Sequence, residues 1–203
     1  MKVIIGTRSA ILTKDTVIAQ GGEAIIHSDP GNQDSFVLKI YHARDQKREQ
    51  KIRHMLKGNI EFPPRACPPL SIITDEKDIF LGFQMRRLSN RFQRVRKMFS
   101  KGFNLDHGFT TKVKTSIFYQ IGKDIEKVHP HGMVVGDMND ANIMVHEENY
   151  NVGWVDVDSW GFENFPCVVG TELYLSPDLY GLDLSKHAPF EPQHDWWSFT
   201  ILL

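Results

Sequence analysis

The sequence predicts an α+β fold in two parts, and two observations carry that prediction. Residues 1–85 contain short β-branched and aromatic runs separated by turn residues, whereas apolar residues further along recur at helical spacing. Charge divides the chain at a similar place: residues 1–101 hold 19 Lys/Arg against 10 Asp/Glu, and residues 102–203 hold 5 against 15. This asymmetry favours two lobes, although a basic helical face in a single domain would also produce it.

Length and composition exclude several classes of protein. The 203 residues are 41% hydrophobic, which is enough for a packed core and excludes a disordered chain. No apolar run approaches the roughly 20 residues that span a bilayer, and the N-terminal run reaches Gly6-Thr7-Arg8 too soon for a signal peptide. Cys67 and Cys167 are too far apart for a metal knuckle. We therefore expect a soluble, cytoplasmic protein with no membrane partner.

The first part is predicted to be a sheet interrupted by one helix. Asp29-Pro30-Gly31-Asn32 is a strong turn signal, and Gly58 is expected to end the helix. The predicted strands cover residues 16–19, 24–27, 36–41, 70–74 and 79–84, and the predicted helix covers residues 43–57.

The second part is predicted to be mainly helical from about Arg86. One buried helical face is marked by apolar residues at steps of four, four and three, namely Ile117, Ile121, Ile125 and Val128. That helix is expected to end near His129-Pro130. Residues 143–146 and 152–155 then predict a hairpin.

The chemistry-bearing side chains are concentrated around this hairpin. Asp137 is followed five residues later by Asn142, then by strand, turn and strand, and then by Asp156. We expect these three oxygen-bearing side chains to lie close together at one opening, where they would suit a divalent metal and a phosphate. Asp158 is a rival metal ligand, but the strand directly before Asp156 favours the earlier acid. The alternative is that Asp137, Asn142 and Asp156 are turn and cap residues.

The order of these features resembles the protein-kinase-like fold. In that fold the catalytic loop ends in Asp, has Asn five positions on, and is followed by a hairpin that ends in a metal-binding Asp. Four further segments match the pattern in the correct order: the Gly21-Gly22 turn within 18–26, the lysine strand 36–40, the segment beginning Gly170-Thr171, and Asp195-Trp196-Trp197-Ser198. The motifs are most similar to bacterial serine/threonine kinases that accompany von Willebrand A-type and metal-dependent phosphatase proteins in tellurite-resistance or stress clusters, often with a helix-hairpin-helix region.

The resemblance implies a bilobal, kinase-like α+β architecture. Residues 1–85 would form an antiparallel-sheet, nucleotide-binding small lobe, and residues 86–203 a mainly helical large lobe that stops after the start of its central helix. It also implies ATP and Mg²⁺ or Mn²⁺ as cofactors, and phosphoryl transfer to Ser or Thr of a bacterial protein. The co-encoded von Willebrand A-type and phosphatase proteins would be candidate partners.

The resemblance also assigns a role to each site residue. Asp137 would orient the attacking hydroxyl, and Asn142 and Asp156 would hold the metal. Lys39 with Glu49 would bind the phosphates, and Gly21 and Gly22 would cover them. Gln84 and Met85 would lie at the hinge beside the adenine.

Two of these roles also have physical reasons. Lys39 on an apolar strand would give the phosphates a fixed cation, and the alternative is a lysine that points to water. Glu49 shares a helical face with Ile52 and Leu56, so its carboxylate is expected to need a cation. Asp45, one turn earlier on that face, is the alternative partner for Lys39.

Several family residues are replaced. Ala19 and Ala24 stand where glycines are usual, Val135-Gly136-Asp137 replaces His-Arg-Asp, and Asn139 takes the place of a lysine. These departures argue against gating by phosphorylation and leave two alternatives open: a nucleotide-binding pseudokinase that acts as a scaffold, or a phosphotransferase for small molecules.

Two surfaces are expected to matter outside the site. Seven cations lie in a run of sixteen residues, at Arg86, Arg87, Arg91, Arg94, Arg96, Lys97 and Lys101. A solvated helix face with Phe92 and Phe99 packed inward is favoured there, an acidic partner or substrate segment is the alternative, and nucleic acid is not expected. The helix predicted from Asp195 is expected to leave its apolar residues, Trp196, Trp197, Phe199, Ile201 and Leu202, partly uncovered, which would favour self-association.

Overall fold

The α+β class is confirmed by the computed structural model, which describes residues 1–58, 60–186 and 190–203. The chain divides into two compact units. Unit 1 comprises Met1–Ile60 and Cys67–Ser89, and unit 2 comprises Glu61–Ala66 and Asn90–Leu203.

Unit 1 is built on a curled, antiparallel seven-stranded sheet with the order β2-β1-β6-β7-β5-β4-β3. Its strands are β1 Lys2–Ile5, β2 Arg8–Ile11, β3 Val17–Gln20, β4 Ala24–Ser28, β5 Phe36–Tyr41, β6 Pro69–Thr74 and β7 Phe80–Arg86. All five strands that the sequence predicts in this part are present, as is the turn between β4 and β5, where the Asn32 amide donates to the Asp29 carbonyl over 3.0 Å.

The N-terminal hairpin of β1 and β2 is missing from the predicted strands. It supplies much of an apolar cluster that also takes side chains from β5 and β6, made of Val3, Ile5, Ala10, Leu12, Leu38, Ile40 and Ile73. These side chains leave water together, and at about 25 cal/mol per Å² of apolar surface such a cluster is a main source of the stability of unit 1.

The helix of unit 1 is α1, Gln46–Lys57, and it begins three residues later than predicted. Asp45 is the reason, because its side chain accepts hydrogen bonds from the Lys47 and Arg48 amides at 2.8 and 3.3 Å and so caps the helix. Asp45 therefore has a capping role, and the alternative that it is the partner of Lys39 stays a prediction. Its residues Ile52 and Met55 are buried.

Unit 2 contains helices, two small sheets and several single turns. Its helices are α2 Lys101–Asp106, α3 Thr111–Val128 and α4 Pro192–Leu202, and its strands are β8 Phe92–Arg94, β9 Met133–Val134, β10 Ile143–His146, β11 Val152–Trp154 and β12 Gly161–Phe162. The predicted hairpin is confirmed, since β10 pairs with β11. The predicted helical face on α3 is confirmed as well, because Ile117, Ile121, Ile125 and Val128 are each fully buried.

The prediction of a basic helix face around residues 86–101 is wrong. β7 continues to Arg86, Phe92–Arg94 forms β8 against β10, and a single 3₁₀ turn follows over Val95–Phe99. Phe99 is 56% exposed rather than packed inward. The cause is non-local, because β8 pairs with a strand fifty residues further along, and no periodicity within the segment records that pairing.

The last helix, α4, begins at Pro192 and is better covered than the sequence suggests. Leu202 is buried at 2% exposure, which corrects the expectation for that residue, whereas Trp197 and Ile201 remain exposed. The Trp196 ring packs edge-on against Phe199, with the centroids 5.7 Å apart. Among the described residues, no helix combines the length and the apolar character needed to cross a bilayer.

Candidate active site

The loop between β9 and β10 is fixed by a buried carboxylate from α4. Asp195 has no exposed surface, and it accepts hydrogen bonds from the Val135 and Gly136 amides, each over 2.8 Å. His129 Nε2 lies 2.8 Å from the same carboxylate. Buried backbone amides need acceptors, so Asp195 sets the backbone path immediately before Asp137.

Gly136 is required in this loop for two reasons. Its φ of +70° lies in the left-handed region, and a Cβ added there would come 2.4 Å from Cys167 Sγ. The Cys167 side chain is fully buried. The loop therefore passes close to the segment after β12, and only glycine permits that approach.

Asp137 is half-buried, and its carboxylate is held by two side chains. The Thr171 hydroxyl donates to Asp137 Oδ1 over 2.8 Å, and the Asn142 amide donates to Asp137 Oδ2 over 3.2 Å. The Asn142 amide also donates to the Asp137 carbonyl over 3.0 Å. The carboxylate orientation is thereby fixed by two donors, one on each oxygen.

Asn139 connects these groups from inside the loop. It is 6% exposed. Its side-chain oxygen accepts from the Ala141 and Asn142 amides at 2.9 and 3.1 Å, and its nitrogen donates to the Asp137 carbonyl at 3.3 Å and to the Thr171 hydroxyl at 3.0 Å. All four hydrogen-bonding positions of the amide are used. Asn139 therefore replaces a lysine with a neutral group that still links Asp137 to Thr171.

The hairpin brings Asp156 to the end where Asn142 lies. Ile143 pairs with Trp154, and the Val155 amide donates to the Asn142 carbonyl over 3.0 Å. Asp156 follows directly, in a left-handed conformation with φ 57° that is uncommon outside glycine. Strained backbone of this kind clusters at functional sites.

The turn after Asp156 is closed on the Asp156 carbonyl. It accepts from the Ser159 amide at 3.0 Å and from the Ser159 hydroxyl at 2.7 Å. These contacts hold the left-handed residue in place. Asp158, the rival metal ligand, lies within this turn and is half-buried.

A second anchor holds the strand that leads to Asp156. The indole of Trp154, which is 1% exposed, donates to Asp124 Oδ2 of α3 over 2.8 Å. Burial raises the pKa of the Asp124 carboxyl, and the hydrogen bond from Trp154 opposes that shift. β11 is therefore fixed to the central helix of unit 2 two residues before Asp156.

Lys39 lies in β5 of unit 1 with 6% of its surface exposed, so the alternative of a lysine that points to water is wrong. Its ammonium lies 5.7 Å from the centre of the Tyr41 ring and 5.9 Å from that of Phe83. A buried ammonium is costly unless it is compensated, and such groups are frequent at functional sites. Gly82 on β7 is needed beside it, because an added Cβ would come 1.9 Å from the Lys39 carbonyl oxygen.

The predicted hinge residues lie on β7, opposite the lysine strand. Gln84 pairs with Leu38, and Met85 pairs with Val37. The Gln84 amide donates to Asp29 Oδ2 over 2.6 Å, so its side chain is committed to the sheet.

Asp29 is a buried carboxylate with three donors. It forms an ion pair with Arg8 and accepts from the Gly31 amide over 2.9 Å as well as from Gln84. Burial raises the pKa of Asp29, but the hydrogen bonds from Arg8, Gly31 and Gln84 outweigh that effect, so the pKa of this carboxyl lies below its usual value.

The glycine turn between β3 and β4 is exposed and tethered. The Gly21 carbonyl lies 2.9 Å from His42 Nε2, and the Arg48 guanidinium donates to the Glu23 carboxylate over 3.0 Å. A Cβ at Gly22 would meet nothing within 4 Å. The turn therefore has open space beside Gly22.

Glu49 is only half-buried on α1, and its carboxylate accepts from Arg53 over 2.8 Å, one helical turn later. The neighbouring face of α1 also carries Lys51, at 9% exposure, beside Ile52. The arrangement gives Glu49 a cationic partner on its own helix, so its predicted partnership with Lys39 stays a prediction.

No protein-family model matches this chain, and no curated protein matches it in sequence. Two sets of residues, one in each unit, therefore indicate the function through their geometry. In unit 2 the structure brings together Asp137, Asn142 and the hairpin end at Asp156. In unit 1 it places Lys39 beside the strand that bears Gln84 and Met85.

Sequence reasoning missed the part that three residues play in organising the loop. The sequence marks Thr171 and Asp195 only as parts of matching segments, and Asn139 only as a departure. Their partners lie 34, 60 and 32 residues away for the pairs Thr171–Asp137, Asp195–Val135 and Asn139–Thr171. A polar residue at the start of an apolar helix, as Asp195 is, was the available signal for a buried acceptor.

Proposed function

We propose that the protein transfers the γ-phosphoryl group of ATP to a serine or threonine hydroxyl of a protein, with the bilobal arrangement of the protein-kinase-like fold. The observation that carries the proposal is the hydrogen-bonded group of Asp137, Asn142 and Thr171, held on a loop whose backbone amides are anchored by the buried Asp195. A general base must be oriented before it can accept a proton, and this arrangement orients one.

Asp137 would receive and orient the acceptor hydroxyl. Its two oxygens already take one hydrogen bond each from Thr171 and Asn142, and a carboxylate has further lone pairs for a third donor. The residue is half-buried, so a hydroxyl from solvent can reach it. Fixing the carboxylate in advance would lower the entropic cost of alignment with the phosphoryl group.

Asn142 and Asp156 have the donor chemistry that Mg²⁺ or Mn²⁺ requires. The Asn142 nitrogen is committed to Asp137, which turns the amide oxygen away from that carboxylate, and Asp156 adds a carboxylate at the same end of the hairpin. Oxygen ligands of this kind fit a hard divalent cation. When bound, such a cation supplies charge neutralisation on the nucleotide phosphates.

Lys39 would provide a fixed positive charge for the nucleotide phosphates. Its burial among Tyr41 and Phe83 restricts the side chain, and low polarity strengthens its attraction to a phosphate relative to water. Backbone groups near Met85 would contact the base, and the turn at Gly21 and Gly22 would lie over the phosphates.

The first test is transfer by the unaltered chain. The protein is incubated with radiolabelled ATP and Mg²⁺ or Mn²⁺, alone and with candidate acceptor proteins, and the product is hydrolysed to identify the phosphorylated amino acid. We expect phosphoserine or phosphothreonine. Nucleotide binding in a thermal-shift assay without any transfer would favour the scaffold alternative, and label on a metabolite alone would favour the small-molecule alternative.

The second test separates the metal ligand from its neighbour. Asp156→Asn is expected to reduce transfer about a thousandfold, whereas Asp158→Asn, two residues later in the same turn, is expected to reduce it far less. A larger loss in Asp158→Asn would show that the metal is assigned to the wrong acid.

Lys39→Met is expected to abolish the thermal shift with ATP, because the phosphates lose their fixed cation.

A further inference from the structure

The short segment after the predicted hinge presents two arginines on the surface of unit 2. Arg94 ends β8, Arg96 lies in the following 3₁₀ turn, and both are exposed. Among the described residues neither guanidinium takes part in a salt bridge. We call these two residues the arginine pair.

Two of the three other cations of the segment in unit 2, Arg91 and Lys97, have partners, whereas Lys101 at the start of α2 has none among the described contacts. Arg91 forms an ion pair with Glu148, and the Lys97 ammonium donates to Gln93 over 2.6 Å and lies 5.6 Å from the centre of the Phe103 ring. The structure therefore distinguishes the arginine pair from Arg91 and Lys97, which the sequence could not do.

The register of β8 locates the arginine pair at the end of the hairpin that carries the site. Arg94 pairs with Met144, and the strands are antiparallel. The chain from Arg94 to Arg96 consequently runs towards the end of the hairpin where Asn142 directly precedes β10. Arg96 therefore lies towards the same end of the sheet as Asn142, whose side-chain amide donates to Asp137.

A second observation places Arg96 near the same loop. Burial raises the pKa of the Tyr174 hydroxyl, the carboxylate of Asp140 raises it further, and the positive charge of Arg96 opposes them. Tyr174 comes three residues after Thr171, and Asp140 lies between Asp137 and Asn142. Arg96 is therefore within electrostatic reach of Tyr174, in the segment that follows Thr171.

We propose that the arginine pair binds carboxylate side chains of the acceptor, so that the protein acts on serine or threonine in acidic peptide segments. This inference rests on the proposed function and specifies its substrate class. Guanidinium groups bind carboxylates through two parallel hydrogen bonds, which gives both attraction and orientation.

The surroundings favour a short acidic peptide over a nucleic acid. Residues 102–203 hold 15 acidic against 5 basic side chains, and Glu147 and Glu148 lie just beyond the other end of β10. An extended polyanion would meet this negative surface on either side of the arginine pair. A short peptide with one or two acidic residues would place its carboxylates at the two arginines and cover less of that negative surface.

The test compares two fluorescent peptides of equal length around one serine, flanked either by glutamate or by lysine. Binding is measured by anisotropy at physiological salt, and transfer from ATP by the same protein is measured in parallel. The wild type is expected to bind the glutamate peptide about tenfold more tightly. The double variant Arg94→Glu/Arg96→Glu is expected to reverse the preference.

Lys112→Glu is the matched control, because it reverses one exposed cation of unit 2 that no described contact joins to the loop around Asp137. It is expected to leave the preference unchanged. Equal binding of the two peptides by the wild type, or an unchanged preference in the double variant, would overturn the inference. Tighter binding of a single-stranded oligonucleotide of matched charge, lost in the double variant, would also overturn it.

The two readouts separate this inference from the proposed function. Tight binding of the glutamate peptide with reversal in the double variant supports the acidic specificity even if no phosphate is transferred, and in that case the proposed transfer is what fails. Transfer that is indifferent to the flanking charge supports the proposed function and rejects the specificity.

Discussion

Asp29 in unit 1 and Asp195 in unit 2 are both fully buried carboxylates with three donors each, and their partners differ. Asp29 receives Arg8, Gly31 and Gln84, which come from separate strands and a turn of one sheet. Asp195 receives two consecutive backbone amides and His129.

Because their hydrogen-bond partners differ, removal of Asp29 and removal of Asp195 are expected to affect the protein differently. A carboxylate that links side chains of separate strands stabilises a sheet whose shape is also fixed by its ladder hydrogen bonds. A carboxylate that holds consecutive amides fixes the path of an irregular loop, which has no ladder to replace it. Loss of Asp29 should therefore cost stability, whereas loss of Asp195 should cost both stability and the geometry of Asp137.

The largest expected effect on stability follows removal of the Asp195 acceptor. Asp195→Ala leaves the Val135 and Gly136 amides buried without partners and is expected to cost about 4 kcal/mol. All four tryptophans lie in unit 2, so urea unfolding followed by tryptophan fluorescence reports on it. Asp106→Ala, an exposed acid of the same unit, is the control and should change stability by less than about 0.5 kcal/mol.

A comparably small effect of Asp195→Ala would contradict the assigned role. The loop would then be held by its other contacts, such as those of Asn139, and Asp195 would be an ordinary buried acid.

The next effect tests the path of the same loop at a glycine. Gly136 and Gly132 both have φ of +70°, but only Gly136 faces a neighbour within 4 Å of an added Cβ. Gly132→Ala should cost about 1 kcal/mol from backbone strain alone. Gly136→Ala should cost about 3 kcal/mol, because the contact with Cys167 adds to that strain. Equal costs for the two alanines would show that the loop moves away from Cys167 freely.

Of the three substitutions Asp195→Ala, Gly136→Ala and Asp29→Asn, the last, in the sheet of unit 1, is expected to have the smallest effect on stability. Asp29→Asn keeps the shape of the side chain but removes the charge that pairs with Arg8, and it is expected to cost about 2 kcal/mol. Hydrogen exchange should increase in β2 and in the turn before β5, and should stay unchanged in residues 133–142. Asp34→Asn, an exposed acid in the same turn, is the control. Faster exchange around residues 133–142 would show that the effect reaches beyond the sheet.

Acid should reveal the same contribution of Asp29. Its folded pKa is lowered, so the folded state binds fewer protons than the unfolded state, and the stabilisation is present above about pH 4. It is lost as the pH falls through the folded pKa, with a slope of at most about 1.4 kcal/mol per pH unit for one proton. In Asp29→Asn this part of the slope should be absent below about pH 4. An identical slope in the two proteins would assign the acid sensitivity to other carboxylates.

The predictable parts of the fold are those whose signals are local. The strands from Ala24 to Tyr41, the helix α3 and the hairpin β10–β11 are predicted correctly, because turn residues and periodicity lie within each segment. β8 is not, because its partner is fifty residues away and the segment around it, residues 91–96, contains three arginines, which favour a helix.

The candidate site divides in the same way. Asp137, Asn142 and Asp156 are found by their spacing along one hairpin. The residues that orient them, Thr171 and Asp195, reach the loop from segments that are 34 and 60 residues away, and only the folded chain shows those contacts.

The most direct measurement is single-turnover transfer of phosphate from ATP by Asp137→Asn, with Asp140→Asn in the same loop as the control. The substituted amide would keep the shape of the side chain but could not accept a proton, so transfer should fall about a thousandfold while the thermal shift with ATP and Mg²⁺ is retained. Asp140→Asn should keep most of the transfer. Full transfer by Asp137→Asn would contradict the role of Asp137 as the group that accepts the proton of the attacking hydroxyl.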